Sequence, residues 1–182
     1  MAHLSPEELI AKFHAACDAG KEKRVNVSQI QSHQALAEAC PAFVPNLLQL
    51  ARSLLLEKEP ITENNLVFAR LQHLLEQAVQ VSARSAPSLI ELAYFHDSIH
   101  NDFKTARSLY EEGAAKALAS LEDAWAGLLS SFVLDHQIPE ALALARQAKT
   151  VFPESARIMH RIHETRDLAI AAGLLPPEST DL

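Results

Sequence analysis

Glycine and aromatic residues are scarce in this chain of 182 residues, which contains 4 glycines and 5% aromatic residues. Phosphate-binding loops and tight strand turns depend on glycine, so a chain with so few glycines is not expected to contain many of them. No Walker-type loop, dinucleotide fingerprint or Cys-x-x-Cys motif occurs in the sequence. The hydrophobic content is nevertheless 48%, mostly alanine and leucine, and β-branched runs are few. The sequence therefore predicts an all-α protein without a nucleotide-binding loop.

Cysteine is also rare, and the two that occur, Cys17 and Cys40, both lie near the N-terminus. Two cysteines do not make a disulfide framework, so both are expected to pack as small hydrophobic residues. The first residues include the acidic Glu7 and Glu8, where a secretory signal would be basic. No apolar run approaches 18 residues without a charge, so we expect a cytoplasmic protein that does not interact with a membrane.

Positive charge is in short supply, and the formal net charge is −7. Residues 1–85 hold 8 basic and 9 acidic residues, whereas residues 86–182 hold 8 basic and 14 acidic residues. Nucleic acids and anionic membranes require a basic surface, so neither is expected as a partner. The excess of acid also favours solubility, whatever the partner is.

A recurring two-helix pattern is the main positive feature of the sequence. The first helix has a bulky apolar face at offsets of 3, 4 and 7 residues, made by Trp125, Leu128, Leu129 and Phe132. The second helix has a face of small residues, made by Ala141, Ala145 and Ala148. Pro153 then ends the unit, because proline does not continue a helix. This unit resembles the tetratricopeptide repeat, a helix–turn–helix unit of about 34 residues.

Two earlier segments repeat the first-helix pattern more loosely. The nearer one begins at Leu89, 36 residues before Trp125, and has a partner helix around Ala106 and Tyr110. The other begins at Leu47 and is too far from Leu89 for the ordinary period, so it is interpreted as a degenerate repeat. Repeat units bury their apolar faces by stacking, so the resemblance implies a right-handed α-solenoid of about nine helices.

The predicted organisation is a single helical repeat domain over residues 1–175. Its parts are an N-terminal helical extension at 1–41, a degenerate repeat at 43–84, repeats at 86–121 and 122–155, a capping helix at 156–172 and a disordered tail at 176–182. A Ser-x-x-Glu capping box at Ser5 and Glu8 predicts the first helix start, and Ser120 with Asp123 predicts another within the repeats.

The resemblance also implies a binding surface, because the first helix of each repeat lines the concave groove of such a solenoid. The residues that this register points into the groove are Arg52, Leu55, Ile90, Tyr94, Asp97, Ala126, Ser130 and Val133. They are mostly apolar or acidic, which favours an amphipathic or partly basic protein segment as partner. We expect a non-catalytic adaptor or chaperone-like scaffold without a cofactor, and the pattern is also compatible with a homo-oligomer. The opposing interpretation is that another helix of the chain fills the groove.

Histidine spacing suggests a function of a different class, a small metal-binding or ligand-binding helical protein or enzyme. His96 and His100 are separated by one helical turn, as are His160 and His163, which is a spacing that metal ligands use. The repeat register instead places His96 at a packing position and His100 at the end of a first helix. His160 and His163 are interpreted as part of an ordinary solvated helix face, so we expect no metal at either pair.

Overall fold

The structure is a computed structural model that describes residues 4–19, 27–56 and 64–179. Within these residues all regular structure is helical, as predicted, with eight α-helices and no strand. The helices are α1 (Pro6–Asp18), α2 (Val27–Ala39), α3 (Val44–Leu56), α4 (Asn64–Val81), α5 (Ala86–Ser98), α6 (Phe103–Leu134), α7 (Ile138–Val151) and α8 (Ala156–Ala171). The tetratricopeptide-like helical fold is thus observed, with eight described helices where the spacing predicts about nine.

The chain packs as two compact units, Met1–Ala115 and Lys116–Leu182, which are called the N-terminal unit and the C-terminal unit below. The sequence instead predicts one repeat domain over residues 1–175. In the N-terminal unit each helix from α1 to α5 packs on the next one, and α3 also packs on α5. Contact between alternate helices is what a stack of helix pairs requires.

The core of the N-terminal unit is leucine-rich and is centred on α3, α4 and α5. Its fully buried side chains include Leu47, Leu71, Leu75, Leu89 and Phe95. Complete burial of a leucine or phenylalanine side chain stabilises a fold by about 1.5–3 kcal/mol. This core fixes which faces of α3 and α5 are left for solvent.

A buried polar pair joins α2 to α3 inside the N-terminal unit. His33 Nδ1 and Asn46 Oδ1 are 2.7 Å apart, and Asn46 Nδ2 donates to the backbone oxygen of His33 at 2.9 Å. Both side chains are fully buried, and the His33 ring packs edge-on against Phe13. Since unpaired buried polar groups are costly, each residue depends on the other.

The core of the C-terminal unit joins the end of α6 to α7 and α8. As predicted, the small-residue face of α7 is fully buried, at Ala141, Ala145 and Ala148. Trp125 packs against this core, with its ring edge-on to Phe152 at a centroid distance of 5.8 Å, but it is only partly buried.

One part of the predicted packing face on α6 is wrong. The sequence predicts that Leu128 packs with Trp125 and Leu129, yet Leu128 is 43% exposed while Leu129 is fully buried. The helix instead turns Ala126 and Leu129 towards α7 and α8. The small side chain of Ala126 lets the neighbouring helices approach on that side, and this leaves Leu128 facing outwards.

Helix α6 is one continuous helix of 32 residues, whereas the sequence predicts a repeat boundary between residues 121 and 122. The predicted capping box at Ser120 does not form, because its hydroxyl donates to the backbone oxygen of Lys116 at 2.9 Å. The segment between Gly113 and Gly127 contains neither glycine nor proline and is rich in alanine and leucine, which are strong helix formers. Local propensity therefore overrides the predicted cap, and two expected helices become one.

The same helix passes a test of length and composition for crossing a membrane. An 18-residue window within Phe103–Leu134 has a mean hydropathy of 1.2, and 11% of that window is buried. A helix of a protein in water passes this test too. Glu122 and Asp123 lie near the middle of α6, and charged residues are costly inside a bilayer. The expectation that no membrane is involved stays a prediction.

The two ends of the described chain are held by local hydrogen bonds. The Ser5 capping box is confirmed, because Ser5 Oγ accepts from the Glu8 amide and Glu8 Oε2 accepts from the Ser5 amide. At the other end, residues 176–179 form a turn, and Arg166 donates to the backbone oxygen of Pro177 at 3.2 Å. Residues 180–182 lie outside the described part of the chain, and the disordered tail stays a prediction.

Candidate functional site

The outward face of α5 carries three of the residues that the register assigns to a groove. Ile90, Tyr94 and Asp97 follow one another at offsets of 4 and 3 residues, so they share one side of the helix. Ile90 is 41% exposed and Tyr94 is 51% exposed, whereas the opposite side of α5 is buried in the core of the N-terminal unit. The core therefore anchors one side of α5 and leaves a bulky apolar side free.

Helix α3 extends this face, because it packs directly on α5. Arg52 Nε of α3 donates to Glu91 Oε1 of α5 at 3.0 Å, and the hydrogen bond raises the pKa of the Arg52 guanidinium. The guanidinium is half-exposed, so the ion pair contributes little stability. It does fix the two helices side by side, and it neutralises one of the carboxylates on this face.

Helix α6 closes the other side of the face through a close approach at Gly113. A Cβ atom added to Gly113 would lie 3.0 Å from Ile90 Cγ1, so glycine lets α6 pack tightly on α5. Tyr110 lies one turn earlier on α6 and packs partly against the core. The pKa of Tyr110 is raised first by burial and then by the negative charges of Asp97, Tyr94 and Glu91. Tyr110 is three residues from Gly113 and Tyr94 is four residues from Ile90, so both tyrosines stand about one turn from the contact between the two helices.

These residues form a surface that we call the α5 surface: Arg52, Ile90, Glu91, Tyr94, Asp97 and Tyr110. The sequence predicts that Leu55 belongs to it, but Leu55 is half-buried and packs against the core of the N-terminal unit. Sequence analysis missed Glu91 and assigned Tyr110 to a partner helix. Arg52 and Glu91 are 39 residues apart in the sequence, so no local pattern predicts their ion pair. The pair depends on how α3 packs on α5.

The three groove residues predicted in the C-terminal unit are less exposed. Ala126 is 2% exposed, so little of its side chain is available to a partner. Its side chain is taken up by packing against α7 and α8. Ser130 and Val133 are both half-buried. Ser130 lines a groove, and Val133 is not among the residues that line it.

That groove, called the α6–α8 groove, has a volume of about 620 Å³ and a polar lining. Its walls combine small residues of α6 with arginines of α8, namely Ala126, Gly127, Ser130, Ser131, Leu134, Asp135, Arg157 and Arg161. Both arginines already have acidic neighbours: Arg157 pairs with Asp123, and Arg161 Nη1 donates to Glu164 Oε2 at 2.7 Å. The latter bond lowers the pKa of Glu164. No sequence motif pointed to this groove, because its walls come from helices that are distant in the sequence.

The histidine pairs are placed as follows. The rings of His96 and His100 are perpendicular with centroids 5.7 Å apart, and His100 packs on the ring of Phe95. His160 Nε2 lies 3.3 Å from Glu164 Oε1 on the exposed side of α8. Over residues 4–19, 27–56 and 64–179, no group of three or more His, Cys, Asp or Glu side chains is placed to hold a metal ion.

Comparisons with known proteins bear on the repeat pattern. The profile of the Myxococcota tetratricopeptide repeat protein family matches residues 1–83. A Myxococcus xanthus protein named "Uncharacterized 18.1 kDa protein in carS 3'region" is 32% identical over 160 residues, which is 88% of this chain and 92% of that protein. The chain belongs to the Myxococcota tetratricopeptide repeat protein family. The resemblance found in the sequence motifs is thus confirmed.

The family match covers a different part of the chain from the motifs that suggested it. The clearest tetratricopeptide spacing lies at residues 122–155, whereas the matched residues 1–83 include the segments interpreted as an extension and a degenerate repeat. Membership in this tetratricopeptide family therefore extends to the first four helices, which motif spacing left outside the regular repeats. Proteins built from such repeats typically bind other proteins, so the family indicates a scaffold rather than an enzyme.

Proposed function

We propose that the protein is a non-catalytic adaptor that binds a segment of another protein on the α5 surface. The single observation that carries this proposal is the exposure of Ile90 and Tyr94 on the outer side of a helix whose inner side is fully packed. Isolated exposed apolar residues are ordinary on protein surfaces. Here two of them are adjacent on one helix, and they are framed by a cross-helix ion pair.

The position of the surface supports the same proposal. In a stack of helix pairs the first helices line the binding groove, and α3 and α5 are the first helices of successive predicted units. Tyrosine is common in binding hot spots, because it supplies a large contact area and a hydroxyl group with few rotatable bonds. The α6–α8 groove is the competing surface, but it lacks a comparable exposed aromatic residue.

A peptide selection on the full-length chain tests the proposal. Random 12-residue peptides displayed on phage would be selected on the immobilised protein, and their affinities measured by fluorescence anisotropy. We expect the double variant Ile90→Ser/Tyr94→Ser to bind selected peptides at least about tenfold more weakly with unchanged helicity, since both side chains are exposed.

The control is a double variant of the competing surface, Leu134→Ser/Arg161→Glu. Leu134 and Arg161 line the α6–α8 groove, so this variant is expected to bind the peptides within about twofold of the wild type. If the groove variant loses affinity and the α5 variant keeps it, the proposed surface is wrong. If no peptide is enriched at all, the adaptor function itself loses its support.

A further inference from the structure

The charges of the α5 surface are unevenly balanced. Arg52 neutralises Glu91 through the cross-helix ion pair. Asp97 is half-buried, and across the described residues the structure gives it no hydrogen bond and no ion pair within 4.0 Å. A carboxylate without a paired cation gains a charge-assisted hydrogen bond from the arrival of a positive group. The surface thus presents one uncompensated negative charge.

The two tyrosines stand beside this carboxylate. Tyr94 precedes Asp97 by three residues on α5, so the two lie on the same side of the helix. The close contact between Gly113 and Ile90 sets the register of α6 against α5 and brings Tyr110 alongside. The negative charges of Asp97 and Glu91 act on Tyr110, which agrees with that placement. Aromatic rings next to a carboxylate attract a cation through both the ring face and the charge.

The apolar part of the surface limits the kind of cation that fits. Ile90 lies one turn before Tyr94 and is 41% exposed, so a bound group meets an aliphatic wall next to the charged end. A lysine or arginine side chain has this shape, because its hydrocarbon stem covers apolar surface while its head stays polar. A small inorganic cation would leave the wall of Ile90 and Tyr94 uncovered.

We propose that Tyr94, Asp97 and Tyr110 form a pocket for one lysine or arginine side chain of the bound segment, with an apolar neighbour of that segment resting on Ile90. This inference rests on the proposed function and specifies the chemistry of the partner. The partner is a protein segment in which a basic residue stands next to an apolar one. Charge complementarity with Asp97 sets the preference, and the tyrosine rings supply contact area.

The test uses the full-length protein and the phage-selected 12-residue peptides as probes. We expect the selected peptides to share a lysine or arginine next to an apolar residue. Asp97→Lys is expected to weaken their binding at least about tenfold, and Asp97→Asn by a smaller factor. Glu140→Lys makes the same change in net charge at an exposed position of α7 and is expected to leave the affinity within about twofold.

Exchanging the charges of the peptide and of residue 97 tests their pairing directly. The peptide whose basic residue is replaced by glutamate should bind the wild type weakly and recover affinity for the Asp97→Lys variant. If Tyr94→Ser abolishes binding while both Asp97 variants bind like the wild type, the basic anchor is wrong and the proposed function stands. If neither Tyr94→Ser nor the Asp97 variants change the affinity, the peptides bind elsewhere and both proposals fail. Enrichment of acidic peptides would overturn the anchor and point to the arginines of the α6–α8 groove.

Discussion

Helix α5 and the last third of α6 correspond to each other in the predicted repeat register, yet they bury different sides. Positions 36 residues apart correspond, so Leu92 matches Leu128 and Ala93 matches Leu129. Leu92 and Ala93 are both buried, whereas Leu129 is buried and Leu128 is exposed. The buried side of α6 is therefore shifted by about one residue, which is roughly 100° of helix rotation.

The same shift separates the candidate binding residues. Ile90 and Tyr94 are exposed on α5, but their counterparts Ala126 and Ser130 are buried or half-buried on α6. Ala126 packs into the core with α7 and α8, whereas Ile90 contacts α6 at Gly113 and keeps part of its side chain in solvent. The comparison teaches that repeat spacing locates a helix and its approximate face, while the individual side chains decide which residues reach solvent.

The largest expected effect tests the shifted burial in the C-terminal unit. Leu129→Ala should lower the free energy of unfolding by about 3–5 kcal/mol, because it leaves a cavity in a closed core. Leu128→Ala should change it by less than about 1 kcal/mol, since its side chain is already half in water. Trp125 is the only tryptophan in the chain and lies in this unit, so its fluorescence during urea unfolding reports the change. If the two variants lose the same free energy of unfolding, Leu128 and Leu129 are both packed, as the sequence predicts.

The second-largest expected effect concerns the buried pair of His33 and Asn46 in the N-terminal unit. Asn46→Ala should lower the free energy of unfolding by about 2–3 kcal/mol, because it leaves buried groups of His33 without partners. Circular dichroism during urea unfolding measures the loss. The control is Gln49→Ala on the same helix, which should cost less than about 1 kcal/mol because Gln49 is only half-buried. A similar cost for both substitutions would show that the His33–Asn46 pair contributes no special stability.

Two glycines of α6 allow a matched comparison of the units. Gly127→Ala in the C-terminal unit should raise the free energy of unfolding by about 0.5–1 kcal/mol, because alanine favours the helix and its Cβ meets nothing within 4 Å. Gly113→Ala in the N-terminal unit should gain less or lose stability, since Ile90 must move away from the new Cβ atom. Thermal melts of the two variants give the order. If Gly113→Ala is the more stabilising substitution, α5 and α6 leave room for a methyl group between Gly113 and Ile90, which contradicts the close contact.

The smallest expected effect is a pH dependence at the start of α6. Asp102 Oδ1 accepts from the Thr105 amide at 3.2 Å, so Asp102 caps the start of α6. Hydrogen bonds from Thr105 lower the pKa of Asp102 below its usual value. The folded pKa is therefore lower than the unfolded one, so the stabilisation is present above the unfolded pKa and disappears as the pH falls through the folded pKa.

Asp102→Asn keeps a capping side chain but does not ionise. The difference in melting temperature between the wild type and this variant should shrink as the pH falls through the acid range below the usual aspartate pKa. A difference that stays constant with pH would show that ionised Asp102 does not stabilise the helix.

Much of the fold could be predicted from the sequence, because the signals involved are local. Alanine and leucine content, the Ser5 cap and the small face of α7 each depend on residues within a few turns of one another. The continuity of α6 could not be predicted from the Ser120 motif, since a cap forms only if the helix breaks there. The Arg52–Glu91 pair and the α6–α8 groove depend on contacts between helices distant in sequence, which spacing alone does not specify.

The candidate site was predicted in part for the same reason. Ile90, Tyr94 and Asp97 share a helix, so their common face follows from the helical period. The burial of Ala126 could not be predicted, because the period does not report how closely a neighbouring helix packs. Tyr110 joins the site only through the approach of α6 to α5 at Gly113, a contact between two helices.

Photo-crosslinking tests most directly whether the α5 surface, rather than the α6–α8 groove, binds the partner. The photoreactive residue p-benzoylphenylalanine would replace Tyr94 in one variant and Ser130 in another, and each full-length variant would be irradiated in an extract of the source cells. We predict a discrete protein adduct at position 94 that a selected basic peptide suppresses by competition, with no such adduct at position 130. An adduct at position 130 that the peptide does not suppress, with none at position 94, would contradict the account.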